Sequence, residues 1–200
     1  LPLQINKNHY VSLENKLFFN SSDLKLTLGV NSHNLQEFEE KVTIPAINLS
    51  LNTYSYNLIW SNKKHKTHTF IFGTQGNYQQ NSNDPKAEEI LLNNLSTNNQ
   101  GIFGMVYSKF TKKLNTQAGI RLDRNQFLIP KNTTINEDLE LNYQSINYSA
   151  GISYTSSKHS YRFNISSGYR PPHPIESLAD GIHHASRKYE ISIEKEISYS

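Results

Sequence analysis

The feature that most constrains this chain is a period of two in its apolar residues, repeated in neighbouring segments. Residues 145–154, SINYSAGISY, put Ile146, Tyr148, Ala150, Ile152 and Tyr154 on one face and Ser145, Asn147, Ser149, Gly151 and Ser153 on the other. Side chains alternate in this way on an extended strand with one apolar side. SYRFNISSGYR (160–170) repeats the pattern: Tyr161, Phe163, Ile165 and Tyr169 alternate with Arg162, Asn164, Ser166, Gly168 and Arg170. A polar turn at 155–159 separates the two, so they read as a hairpin. LKLTLGV (24–30) and AGIRLD (118–123) alternate likewise, the latter with Gly119, Arg121 and Asp123 opposite Ala118, Ile120 and Leu122. Weaker versions run through 10–19, 52–60, 67–78 and 101–110, giving about nine strands.

Short and long connections alternate along the chain. The stretches 20–23, 61–66, 111–115 and 155–159 are short; 37–46, 79–99, 129–143 and 170–187 are long. In an antiparallel up-and-down meander this sorts every tight turn to one end and every long loop to the other, the asymmetry of outer-membrane barrels. Strands of about ten to fourteen residues suit a tilted crossing of the hydrocarbon layer, which takes roughly 9–11. Phe18, Phe19, Trp60, Phe110, Tyr154 and Tyr161 fall near the tight-turn ends, where an interfacial girdle belongs. The apolar faces then meet lipid, and Arg121, Asp123 and Arg162 point into a wet lumen. A soluble β-sandwich or lipocalin-type barrel also alternates, but its strands run nearer five or six residues and its loop lengths are mixed between ends.

Composition agrees with a sheet that buries no thick core: apolar residues make up 36% of 200 and mean hydropathy is −0.64. Twelve Tyr against one Trp and one Met, with abundant Asn, Ser and Thr, favour extended structure. The absence of Cys excludes thiolate metal sites and Cys nucleophiles. A formal charge of +3, spread along the chain apart from KKHK at 63–66, argues against a nucleic-acid surface. No apolar run approaches the length of a membrane helix, and LPLQINKNHY lacks the basic start and apolar centre of a signal peptide. The opening without Met suggests an excerpt of a longer chain or a processed product.

The stretch 166–191, SSGYRPPHPIESLADGIHHASRKYEI, stops strand periodicity at a proline cluster. Prolines cannot donate to a ladder, so they end pairing and turn the chain over the rim. This stretch resembles the barrel of TonB-dependent outer-membrane receptors, carried by Ser167, Gly168, Tyr169, Arg170, Pro171 and Pro172, then Ile175, Glu176, Ser177 and Leu178, and finally Gly181, His183, His184, Tyr189 and Glu190. The Gly-Asn part of the family's following stretch is absent, and ISIEKEISYS retains only its end as Ile193, Glu196 and Ser198. LNTYSYNLIW (51–60) and STNNQGIFGMVYSKF (96–110) resemble strands of the same family.

The resemblance implies an all-β transmembrane barrel of the bacterial outer membrane, of which residues 1–200 supply about nine of 22 strands, without the plug that precedes the barrel in this family. It implies binding and import of a scarce solute (an iron chelate, cobalamin or an oligosaccharide), with energy from the inner-membrane TonB complex acting through the plug of the parent chain. Surrounding lipid is a further implied partner; no cofactor is implied. Candidate ligand contacts on the loops are Tyr143, Arg170, His183, His184 and Arg187. The rim motif is Gly168, Tyr169, Arg170, Pro171, Pro172, Glu176, Leu178, Tyr189 and Glu190. His183 and His184 are adjacent, and on an extended segment they point apart and do not share one metal ion. With no G-x-S-x-G, H-E-x-x-H or P-loop, neither catalytic nor metal residues are expected. A complete small barrel acting as adhesin or anchor is the alternative of a different class, and an outer-membrane hydrolase with rim carboxylates is a third.

Overall fold

A computed structural model of the chain describes residues 2–39, 43–62, 67–90, 94–131, 137–171 and 194–199, the last as backbone only. Nine strands follow one another: β1 (Leu3–Phe18), β2 (Ser22–Phe38), β3 (Ile47–Asn62), β4 (His68–Asn83), β5 (Leu95–Lys109), β6 (Leu114–Ile129), β7 (Leu139–Thr155), β8 (Ser160–Arg170) and β9 (Glu194–Tyr199). They form one antiparallel meander in which each strand pairs with its sequence neighbours, without a crossover. Among the described residues β1 and β9 do not meet, so the sheet is an open, curved wall. Tight turns and long loops sort to opposite ends, as the sequence leads one to expect.

The register fixes the faces. Leu26, Leu58, Thr74, Ile102, Leu122 and Ile146 stand in one cross-strand row; Leu24, Trp60, Phe72, Gly104, Ile120 and Tyr148 stand in the next row on the same face. These side chains form an exposed apolar band, with Ile120 55% and Ile146 64% accessible. Arg121, Asp123, Asn147 and Ser145 share the opposite face, as the alternation predicts. The upper limit of the band shifts along the register, from the row of Val11, Val30, Tyr54 and Tyr78 to that of Ile102, Leu122 and Ile146. A level band that steps across the rungs is what strand tilt produces in a barrel wall.

Above the band the polarity of the two faces exchanges. On β6 the outward positions become Arg124 and Gln126, and on β7 Gln144, Asn142 and Glu140, while inward positions become Phe127, Ile129, Leu141 and Leu139. Among the described residues the most buried large apolar side chains lie here: Ile47, Leu49, Leu95, Phe127, Ile129 and Tyr143 are each at most 8% exposed. The loop after β4 closes over this region, with Asp84 N, Glu88 N and Glu89 N donating to the carbonyls of Asn48, Pro45 and Ala46. A lipid-facing strand must be apolar outside; a strand standing in water must be apolar inside. The exchange therefore marks where the wall leaves the membrane.

Three expectations are corrected. β1–β7 are 15–17 residues long rather than ten to fourteen, because each strand continues past the bilayer. Positions 80–83, 95–98 and 139–143, expected in loops, are strand, so Tyr143 belongs to β7. Phe18 pairs with Asp23 on the inner face, with Lys16 Nζ 5.0 Å from its ring, and so leaves the girdle. The remaining aromatics do gather at the turn end: Trp60 stacks on Phe72 at 5.9 Å, His68 meets Phe110 edge-on at 6.1 Å, and Tyr154 pairs with Tyr161.

Candidate functional site

The inner face carries an ordered polar cluster at the level of the lipid-facing band. Arg121 and Asp123 are two residues apart on β6 and share a face, which brings guanidinium and carboxylate together: Nε and Nη2 each lie 2.6 Å from Asp123 Oδ1. Asn147 Nδ2, on the neighbouring strand, donates to Asp123 Oδ2 at 3.1 Å and to Ser145 Oγ at 3.2 Å. The Gln75 amide, assigned with its oxygen toward the guanidinium, accepts from Nη1 and Nη2, both at 3.0 Å. Arg121 Cζ lies 5.9 Å from the centre of the Phe103 ring.

Gly101 makes this arrangement possible. A Cβ there would collide with Arg121 Nη2 and lie 2.5 Å from Asp123 Oδ1. The guanidinium therefore lies flat across β5, reaching Gln75 on β4 from β6. The Arg121 and Asp123 side chains are 31% and 17% exposed, so the pair is partly desolvated yet open to the lumen. A shallow recess extends from it across Asn57, Asn77, Asn99 and Asn125, a surface of donors and acceptors without net charge.

The other expected residues lie elsewhere. Arg162 shares the inner face, paired with Ser153, but Asn147 and Ser153 are six residues apart on β7, roughly 20 Å along the strand. Tyr143 packs edge-on against Phe127, ring centres 5.9 Å apart, and has Tyr169 as an electrostatic neighbour. The β7–β8 ladder ends at Ser149 and Ser166; at the next step Tyr148 N donates to Ser167 Oγ at 2.9 Å. Beyond that point, among the described residues, β8 pairs with β9, Arg170 in register with Glu194. Gly168 and Tyr169 lie in the same top segment, and Pro171 follows it. Pro172, Glu176, Leu178, His183, His184, Arg187, Tyr189 and Glu190 lie outside the described residues.

An open antiparallel wall with an apolar outside, a polar inside and sorted connections is a piece of an outer-membrane barrel. The sequence model described as "TonB dependent receptor-like, beta-barrel" matches residues 3–198. The chain belongs to the TonB-dependent receptor β-barrel family. Barrels of this family are bacterial outer-membrane proteins. Similar solved structures include the copper transporter OprC (TM-score 0.70, 9% identity, 86% of this chain and 31% of that one). They also include the FrpB iron transporter of Neisseria meningitidis, F3-3 variant (0.65, 13%, 84% and 28%), and the siderophore receptor PiuA of Acinetobacter baumannii (0.65, 11%, 84% and 33%). The chain thus spans about a third of the length of these structures. No curated protein sequence matches it.

Sequence reasoning did not find Gln75, Gly101 or Phe103 as partners of Arg121. On β5 both faces carry large apolar side chains, Ile102 and Val106 outward, Phe103 and Met105 inward, so alternation is weak there. The signal that was available is the glycine: Gly101 stands opposite Asp123, where an unbranched wall leaves room for a long side chain.

Proposed function

We propose that this stretch of receptor wall serves import of a metal-bearing solute, with the Arg121 cluster as the contact the wall offers to the plug of the parent chain. The cluster carries the reading: Asp123 and Gln75 hold the Arg121 guanidinium and Asn147 holds Asp123, so that β4, β6 and β7 are joined at mid-wall height, facing the lumen that a plug occupies in this family. A plug segment docked there exchanges hydrogen bonds with Asp123, Gln75 and Asn147, and force from the TonB complex acts against those bonds. A fixed array of charge-assisted bonds holds a segment in one orientation and releases it as a unit.

The metal-bearing class is supported by the neighbours, described as copper and iron transporters and a siderophore receptor, and by the charge of the loop end. Segments 39–46, 84–94 and 130–138 contain seven carboxylates against three lysines, a field that concentrates cationic solutes at the mouth. Arg170, His183, His184 and Arg187 are the proposed ligand contacts; Tyr143, 8% exposed and packed on Phe127, is not among them. The test is uptake of labelled iron and copper chelates by cells carrying or lacking the full-length receptor gene. Loss of uptake on deletion, restored by the gene and reduced by Arg121→Ala in a receptor that still assembles, is the expected result. Unchanged uptake of every chelate on deletion overturns the metal-bearing assignment.

A further inference from the structure

The tight-turn end has a charge pattern that import does not use. Turn segments 19–21, 63–66, 110–113 and 156–159 contain six lysines and no Asp or Glu, whereas carboxylates predominate in the three loop segments counted above. Solvated lysines are ordinary on any surface, but solubility alone does not require carboxylates to be missing from these turn segments and in the majority in those loop segments. The described lysines also occupy a built rim. Thr155 N donates to Lys113 O at 2.8 Å, tying the 110–113 turn to the 156–159 turn, and Thr111 Oγ1 accepts from Lys113 N at 3.1 Å and Leu114 N at 3.0 Å. Ser156 Oγ accepts from His159 N at 3.1 Å. Lys112, Lys113 and Lys158 are exposed at the tips of these two neighbouring turns.

Immediately toward the membrane stand exposed aromatics: Phe110 at 58%, Tyr154 at 42% and Tyr161 at 63%. Aromatic rings at the edge of an apolar band mark the hydrocarbon boundary. Lys112 and Lys113 follow Phe110 by two and three residues, on the order of 7–10 Å of chain, which places their ammonium groups at headgroup depth. In barrels of this class the short turns face the periplasm, hence the phospholipid leaflet.

We propose that Lys112, Lys113 and Lys158 form a binding rim for anionic phospholipid headgroups, phosphatidylglycerol being the matching chemistry. Family membership supplies the orientation; the solute taken up does not enter. Each lysine beside an anionic lipid surface adds enough affinity that three together give about a 100-fold preference.

The test uses the full-length receptor in detergent, with short-chain phosphatidylglycerol, phosphatidylethanolamine and lipid A each titrated and adducts read by native mass spectrometry. Phosphatidylglycerol is expected to be held about 100-fold more tightly than phosphatidylethanolamine. Lys112→Gln/Lys113→Gln/Lys158→Gln removes that preference, and Lys86→Gln/Lys131→Gln at the loop end keeps it. Should the triple variant fail to fold, the wild type decides: its phosphatidylglycerol adduct must fall away in roughly 0.5 M salt while a phosphatidylethanolamine adduct does not. Equal retention of phosphatidylglycerol by the triple variant, a salt-insensitive adduct, or a preference for lipid A overturns the proposal.

Discussion

Replacing Ile120 by Arg separates the lipid-facing reading from any water-soluble one. Ile120 stands at the centre of the outer band, flanked in its row by Gly104 and Tyr148, and is 55% exposed to whatever surrounds the wall. An Arg at the mid-plane of a barrel's lipid face costs about 2–4 kcal/mol. At about 3 kcal/mol the ratio of folded to unfolded receptor falls about 150-fold. Gln117, three residues earlier and on the inner face, is the matched control: Gln117→Arg adds the same charge to the wet side at little cost. Both variants, made in the full-length receptor, are assayed for heat-modifiable gel mobility after assembly and for urea midpoint in lipid vesicles. Ile120→Arg must lose folded receptor and lower the midpoint while Gln117→Arg stays near wild type. Equal behaviour, or failure of Gln117→Arg alone, refutes the assignment of faces.

Other outcomes follow from the cluster and from the loop end. Asp123→Ala leaves the Arg121 guanidinium without its carboxylate and lowers stability by roughly 1–3 kcal/mol; adding Arg121→Gln recovers part of that, and additive effects in urea titrations of the double-mutant cycle contradict the coupling. Gly101→Val displaces the guanidinium, so it lowers solute uptake in a receptor that assembles normally; uptake at the wild-type rate denies the glycine its role. Phe127→Ala, at a site 6% exposed, costs about 3 kcal/mol in a thermal melt, whereas Phe163→Ala on the lipid face costs less than half as much. Ser167→Ala removes the acceptor of Tyr148 N and speeds hydrogen exchange at that amide by about tenfold, a loss of roughly 1.4 kcal/mol of local protection.

The two-residue period of AGIRLD and SINYSAGISY was enough to place Arg121, Asp123 and Asn147 on one face, because within the bilayer one rule, apolar outside and polar inside, governs β6 and β7. That rule changes at Arg124 and Gln144. Leu139, Leu141 and Tyr143 remain strand, but their apolar side chains have moved to the inner face, so they read as loop to an eye following the outer one. Twofold alternation also fails on β5, where Phe103 and Met105 fill the inner side beside Gly73 and Gly119. At Ser167 a side-chain oxygen replaces a ladder carbonyl, a local substitution that periodicity does not encode. The Arg121 cluster was legible as polar parity; its partners were set by register across four strands, which only the pairing of the strands supplies.

The most direct test of the central claim is a spin-label scan of β6 from Ala118 to Ile129 in the full-length receptor, in a Cys-free background, in lipid vesicles. Oxygen and a water-soluble nickel chelate report lipid and water exposure at each position. Oxygen accessibility is expected to peak at 118, 120 and 122, and the chelate at 124 and 126, with Phe127 and Ile129 protected from both. A uniform period of two along the whole strand, or chelate access at 120 and 122, contradicts a wall that crosses the membrane and stands beyond it.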